Sequence, residues 1–157
     1  KQKTAYEIMP SLVGSEMCIR DRRTIWEDYL ALRLVFPPYS FVFHVHTTTG
    51  QCRFLATREQ VARNADGVLF IADSQEQRLE DNVRSFEELV AFAENRIPVT
   101  VEANKQDLPN ALPAEKLGRE MGLPGSVPVF PASAIKCIGV YEAFRCVVRS
   151  AIESRAG

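Results

Sequence analysis

Apolar positions along the chain fall into runs of two kinds. Leu30 to Phe36 and Phe41 to Thr47 are rich in β-branched and aromatic residues, and Pro37-Pro38-Tyr39-Ser40 between them has turn chemistry, so the pair predicts a β-hairpin. Val68 to Ala72, Ile97 to Val101 and, more briefly, Val127 to Phe130 are short apolar runs without alternation, the pattern of strands buried on both faces of a central parallel sheet. Between them Leu79, Val83, Phe86, Val90 and Ala93 recur at the spacing of one helical face. Val140, Phe144, Val147, Val148, Ala151 and Ile152 do the same near the C-terminus. A shorter helix is expected between Pro113, which opens it, and Gly122, which closes it. The order β β (α) β α β α β α predicts an α/β domain with a helix-covered, mostly parallel sheet.

The first 22 residues stand outside this pattern. They read KQKTAYEIMPSLVGSEMCIRDR. The codons AAG CAG AAG ACG GCA TAC GAG spell Lys1 to Glu7, and CTC GTG GGC TCG GAG ATG TGT ATA AGA GAC spell Leu12 to Asp21. Both strings resemble sequencing-library adapters, with Ile8 to Ser11 filling the place of a variable index. Residues 1–22 are therefore expected to be a translated, non-native segment, with Arg22 at the junction, and residues 23–157 the domain proper. The alternative is a genuine polar N-terminal segment.

Composition narrows the classes. The chain has 157 residues, 46% apolar, 25% charged and 9% aromatic, values of an ordinary globular domain rather than a disordered, collagen-like or coiled-coil chain. Its formal net charge of −1 gives bulk electrostatics no means of drawing it to nucleic acid or a membrane surface. No apolar run is long enough for a transmembrane helix. Without residues 1–22 the chain keeps 15 basic and 17 acidic residues, a net charge of −2. Cys52, Cys137 and Cys146 then remain, scattered and without CxxC spacing, which implies reduced thiols and a cytoplasmic setting.

In an open α/β sheet, ligands bind beyond the carboxyl ends of the strands. Three such loops carry candidate chemistry: Thr47-Thr48-Thr49-Gly50-Gln51, Asn104-Lys105-Gln106-Asp107 and Ser133-Ala134-Ile135-Lys136. The middle one is the most informative. Guanine offers two adjacent donors, N1–H and the 2-amino group, and a carboxylate at Asp107 would accept both in a charge-assisted bidentate pair. Adenine has no such donor pair, so this chemistry would select G over A. His44 and His46, two apart on one strand, share a face but have no third ligand at metal spacing, and read as sheet residues.

Three motifs in this order, each after a strand, resemble the guanine-nucleotide motifs of Ras-like small GTPases. The stretch ANKQDLPNAL, Ala103 to Leu112, is similar to Arf-type members. ADGVLFIADSQ, Ala65 to Gln75, and Thr-x-x-Gly in place of the commoner Asp-x-x-Gly look more like the prokaryotic gliding-motility MglA group. Arg23-Thr24 before Trp26-Glu27-Asp28-Tyr29-Leu30 is similar to the switch I region of that group.

The resemblance implies a three-layer P-loop NTPase fold that binds GTP and GDP with Mg²⁺ and hydrolyses GTP. It implies that Asn104 braces its loop and touches the base, that the stem of Lys105 lies across the base plane, and that Ala134, flanked by Ser133 and Lys136, offers its N–H to guanine O6. Gln51 would orient the attacking water, Gly50 would contact the γ-phosphate, Arg23 would act as an arginine finger in cis, and Thr24 would sense γ-phosphate and Mg²⁺. Thr47 stands where other members have an Asp that holds a water on Mg²⁺. A roadblock-type activating partner and effectors at the switch regions are also implied, with no metal site of the protein's own.

One motif is missing. A GxxxxGK[ST] phosphate loop needs Gly followed five residues later by Gly-Lys, and no glycine of the chain has it; Gly14 has Ile19 at that position. Residues 1–22 occupy the place of the family's first strand, this loop and the first helix, so the chain is expected to be a domain lacking those three elements. Two functions stay open: a GTP-hydrolysing switch in the intact parent, or a nucleotide-independent interaction module that keeps the fold.

Overall fold

The computed structural model describes residues 27–36, 39–48, 55–93 and 97–156, which divide between two compact units, Lys1–Val61 and Ala62–Gly157. In the first unit, β1 (Glu27–Phe36) pairs antiparallel with β2 (Tyr39–Thr48), in register from Glu27 opposite Thr48 to Phe36 opposite Tyr39. The alternation of β2 is visible in its burial. Phe41, Phe43 and Val45 are half-buried while Val42, His44 and His46 are exposed, and the Phe41 and Phe43 rings stack with centroids 6.2 Å apart. The two histidines thus lie on the hairpin surface, and no group of three or more potential ligands is gathered among the described residues.

The hairpin is the one expected, with a tighter connection. Tyr39 and Ser40, assigned to the turn from composition, already pair with Phe36 and Val35, and only Pro37 and Pro38, which lie outside the described residues, connect the strands. β1 also starts three residues before Leu30, at Glu27. Thr47, the last residue of the expected strand run and the first of the candidate loop, is a strand residue opposite Asp28, and β2 runs on to Thr48. Helix α1 (Leu55–Asn64) follows.

The second unit is a parallel sheet in the order β3-β4-β5, formed by β3 (Val68–Asp73), β4 (Val99–Asn104) and β5 (Val129–Pro131). Helices α2 (Leu79–Ala93), α3 (Ala114–Glu120) and α4 (Val140–Ala156) follow the three strands in turn. This is the α/β order expected. Ile97 and Pro98 nevertheless precede β4, because Pro98 has no N–H for the ladder, and the strand runs on to Asn104 instead. Val127 is likewise outside β5. Its N–H closes a turn on the Pro124 carbonyl, and Pro128 follows.

One core lies between the sheet and helices α2 and α3. Ala72, Val101 and Ala103 of the strands are buried with Phe86, Leu117 and Met121, and Phe70 meets Phe86 edge to face at 5.4 Å. Ala143 and Val147 of α4, which packs on all three strands, are buried outside that cluster and cover the other face. Thr100 and Glu102 point to this second face, since β4 alternates and Val101 and Ala103 belong to the first. Both are 1% exposed, and Thr100 Oγ1 and Glu102 Oε2 have no hydrogen-bond partner. Burial alone raises the Glu102 carboxyl above the usual carboxylate range.

Candidate functional site

The loops that leave the carboxyl ends of β3, β4 and β5 meet in the second unit. A backbone ladder continues past the strands. Ser74 N–H donates to the Asn104 carbonyl at 3.1 Å, Ala132 N–H to Ala103 at 2.9 Å, and Gln106 N–H to Ala132 at 2.9 Å. The chain after β4 is thereby stitched to both neighbouring strand ends before any side chain contributes.

Asn104 lies at the end of β4. Its Oδ1 accepts the N–H of Lys105 at 2.7 Å and that of Ala134 at 2.9 Å, which ties the loop after β4 to the loop after β5. Lys105 takes a left-handed backbone with φ 68°, unusual for a residue with a Cβ, and an outlier of this kind clusters at functional sites. Ser133, 4% exposed, donates its hydroxyl to Asp107 Oδ1 at 2.6 Å. That hydrogen bond, with the charges of Lys136 and Lys105 adding to it, holds the Asp107 carboxyl below its usual value. Asp107 is therefore an ionised acceptor at neutral pH. A carboxylate has about four lone-pair sites, so after taking the Ser133 hydroxyl it retains capacity for two further donors.

Asn104, Lys105, Asp107, Ser133, Ala134 and Lys136 are thus brought together from two loops 30 residues apart in sequence. Arg23, Thr24, Gly50 and Gln51 lie outside the described residues. Thr47 is described as part of the first unit.

The structure adds residues that the motif reading missed. Asp73 Oδ2 accepts Lys105 Nζ at 2.6 Å, and its Oδ1 accepts the Gln75 N–H at 3.1 Å. Asn82 of α2, 7% exposed, accepts the Asp73 N–H on Oδ1 at 3.1 Å and donates its Nδ2 to the Asp73 carbonyl at 2.8 Å. Gln106 Nε2 donates to Ser74 Oγ at 2.8 Å and to the Leu112 carbonyl at 2.9 Å, while Leu112 N–H returns to the Ser74 carbonyl at 2.7 Å. One signal was available for Asn82, a polar residue within the apolar stripe of Leu79, Val83 and Phe86.

The loop after β5 is closed by two further features. Ser133 and Ile138 exchange backbone hydrogen bonds of 2.9 and 3.1 Å, and Cys137 between them is left-handed with φ 55°. Gly139 follows with φ 77° and lies so close to the strand end that a Cβ there would stand 2.0 Å from the Pro131 carbonyl oxygen.

Comparison with known proteins finds similarity along most of the chain. The Ras family sequence profile matches residues 8–153. The chain is 33% identical over 154 residues to the mutual gliding-motility protein MglA of Myxococcus xanthus, covering 94% of this chain and 77% of that protein. It is 33% identical over 106 residues to human ADP-ribosylation factor-like protein 4C, covering 63% of this chain and 55% of that one. Against the Ras-related protein Rab7 of Cenchrus ciliaris it is 25% identical over 156 residues, covering 94% and 76%. Both the MglA-like and the Arf-like resemblance expected from the motifs are found.

Proposed function

The chain belongs to the Ras family, and from that premise we propose that its second unit is the base-selecting half of a guanine-nucleotide switch that hydrolyses GTP to GDP. The observation that carries this reading is the ionised Asp107, set beside Ala134 by Asn104 and Ser133. Two donors side by side on guanine N1 and the 2-amino group match the remaining acceptor capacity of that carboxylate. The Ala134 N–H, engaged by Asn104 Oδ1, can be shared with guanine O6 as a three-centre bond. Xanthine would place a carbonyl against Asp107, and adenine would leave the carboxylate desolvated with too few donors.

The hydrolytic roles fall to residues assigned by motif alone. Gln51 orients the attacking water, Gly50 contacts the γ-phosphate, Arg23 stabilises charge in the transition state, and Thr24 senses the γ-phosphate and its Mg²⁺. With Thr at position 47 instead of Asp, the second-sphere hold on that metal is weaker. Phosphate and Mg²⁺ binding also need a Gly-rich loop absent from the 157 residues, and we take residues 1–22 as adapter-derived sequence standing in its place. Activating partners of the roadblock type and effectors would read the switch regions in the cytoplasm. No helix among the described residues is long and apolar enough to cross a membrane.

The test restores a family-type strand, phosphate loop and helix ahead of Arg23 and measures equilibrium binding of GTP and ATP with single-turnover GTP hydrolysis. GTP should bind in preference to ATP and be hydrolysed. Gln51→Leu should leave GTP affinity within about twofold and slow hydrolysis at least roughly tenfold, since the water is oriented only on the way to the transition state. Failure to bind GTP favours the second reading, a nucleotide-independent interaction module, for which the phosphate loop missing from the 157 residues is the supporting observation.

A further inference from the structure

We propose that Asp73 is a positioning residue for base recognition, holding Lys105 so that the Lys105 stem forms one wall of the guanine site. The inference rests on the guanine reading above and goes beyond it, because Asp73 belongs to none of the three nucleotide motifs.

The carboxylate of Asp73 is fixed at several points. It ends β3 directly beside Asn104 in the parallel register. Its N–H, which points away from β4 because the flanking Ser74 N–H bonds across to Asn104, is taken by the buried Asn82 side chain, as is its carbonyl. Its Oδ1 is held by the Gln75 N–H, leaving Oδ2 aimed at the Lys105 ammonium 2.6 Å away. The Asp73 side chain is 22% exposed and that of Lys105 is 48% exposed, so the anchor is more enclosed than the group it holds.

The consequence is conformational. A lysine side chain has several rotatable bonds, and an untethered one would lose that freedom only when a base stacks on it. With Nζ tied to Asp73 and the backbone of Lys105 fixed at φ 68° by the Asn104 bond, the methylene stem is stretched between two anchored ends before any ligand arrives. Such a stem offers an apolar strip to a planar purine while its charge is satisfied elsewhere. Asn82 links this wall to α2.

An ordinary surface ion pair would have no such effect, and charge alone predicts the opposite sign. Removing one negative charge near the site strengthens binding of an anionic nucleotide. The 157-residue chain is titrated with GMP while the backbone amides of Lys105 and Ala134 and the Lys105 ammonium resonance are followed by NMR, with AMP as the control. Asp73→Asn should release the ammonium resonance and weaken GMP roughly threefold or more, which is the size expected for a modest tethering effect. Asp73→Glu should restore most of the affinity, and Lys105→Met should show the same loss with no further change when Asp73→Asn is added. Unchanged or tighter GMP binding in Asp73→Asn overturns the inference, as does an equal further loss in the Lys105→Met background. If Asp73→Asn fails to fold, Asp73→Ser in the Lys105 and Lys105→Met backgrounds decides, and equal losses overturn the inference. If GMP shifts neither amide of the unaltered chain, the guanine reading itself is overturned, and this inference with it.

Discussion

Gly139 and Gly122 form a matched pair for testing how tightly the loop after β5 is built. Both have positive φ, 77° and 66°, and both end a turn beside a helix, but they differ in surroundings. A Cβ on Gly122 would meet nothing within 4 Å, whereas a Cβ on Gly139 would stand 2.0 Å from the Pro131 carbonyl oxygen and 3.0 Å from Ala132 Cα. Gly122→Ala should carry only the left-handed penalty of about 1–2 kcal/mol, partly offset by the reduced freedom of the unfolded chain, for a net cost of about 1 kcal/mol. Gly139→Ala carries the same term and must also push the Pro131–Ala132 backbone aside, which adds about 1–3 kcal/mol, so its net cost is about 2–4 kcal/mol. The shift falls on the segment that leads into Ser133 and Ala134. Urea denaturation of the two variants gives the comparison, and the Ala134 amide shift should move in Gly139→Ala and stay in place in Gly122→Ala. Equal losses of stability, or an unmoved Ala134 amide in Gly139→Ala, would refute the reasoning.

Glu102 supplies a pH signature. Its folded-state pKa is raised by burial, so above the ordinary carboxylate value the folded chain still holds a proton that the unfolded chain has released. Stability should therefore fall as pH rises through that window and level off above the raised value. Glu102→Gln should flatten this slope in urea midpoints taken across roughly pH 4 to 8, and a slope that persists in Glu102→Gln would assign it to other groups.

The strands and helices of the second unit were legible because their apolar residues keep one period. Phe86, Val90 and Ala93 mark one face of α2, and Val101 ends a run too apolar for an exposed strand. The errors fall at prolines and turns. Ile97 and Val127 look like strand residues by composition, but Pro98 and Pro128 follow them, and each proline joins the sheet only through its carbonyl, Pro98 accepting the Val68 N–H and Pro128 the Val101 N–H. Tyr39 and Ser40 look like turn residues, but both are strand residues, paired with Phe36 and Val35. Asn104 and Asp107 stand out in the sequence because the proposed guanine site needs a carboxylate beside fixed donors, and the structure brings them together with Ser133 and Ala134. Asp73 and Ser74 were not, since each acts through a partner 32 residues away, and no local spacing encodes that contact. Glu102 interrupts an apolar strand and could have been flagged on that ground alone.

The proposed selection of guanine by Asp107 is tested by exchanging its acceptor for a donor. With a phosphate loop restored ahead of Arg23, equilibrium binding of GTP, XTP and ATP is compared for the parent and Asp107→Asn. The parent should prefer GTP over both others. Asp107→Asn should bind GTP at least roughly tenfold more weakly and gain tolerance for XTP, whose extra carbonyl accepts where guanine donates. ATP binding as tight as GTP in the parent, or an unchanged GTP affinity in Asp107→Asn, would contradict the assignment of this loop to the base.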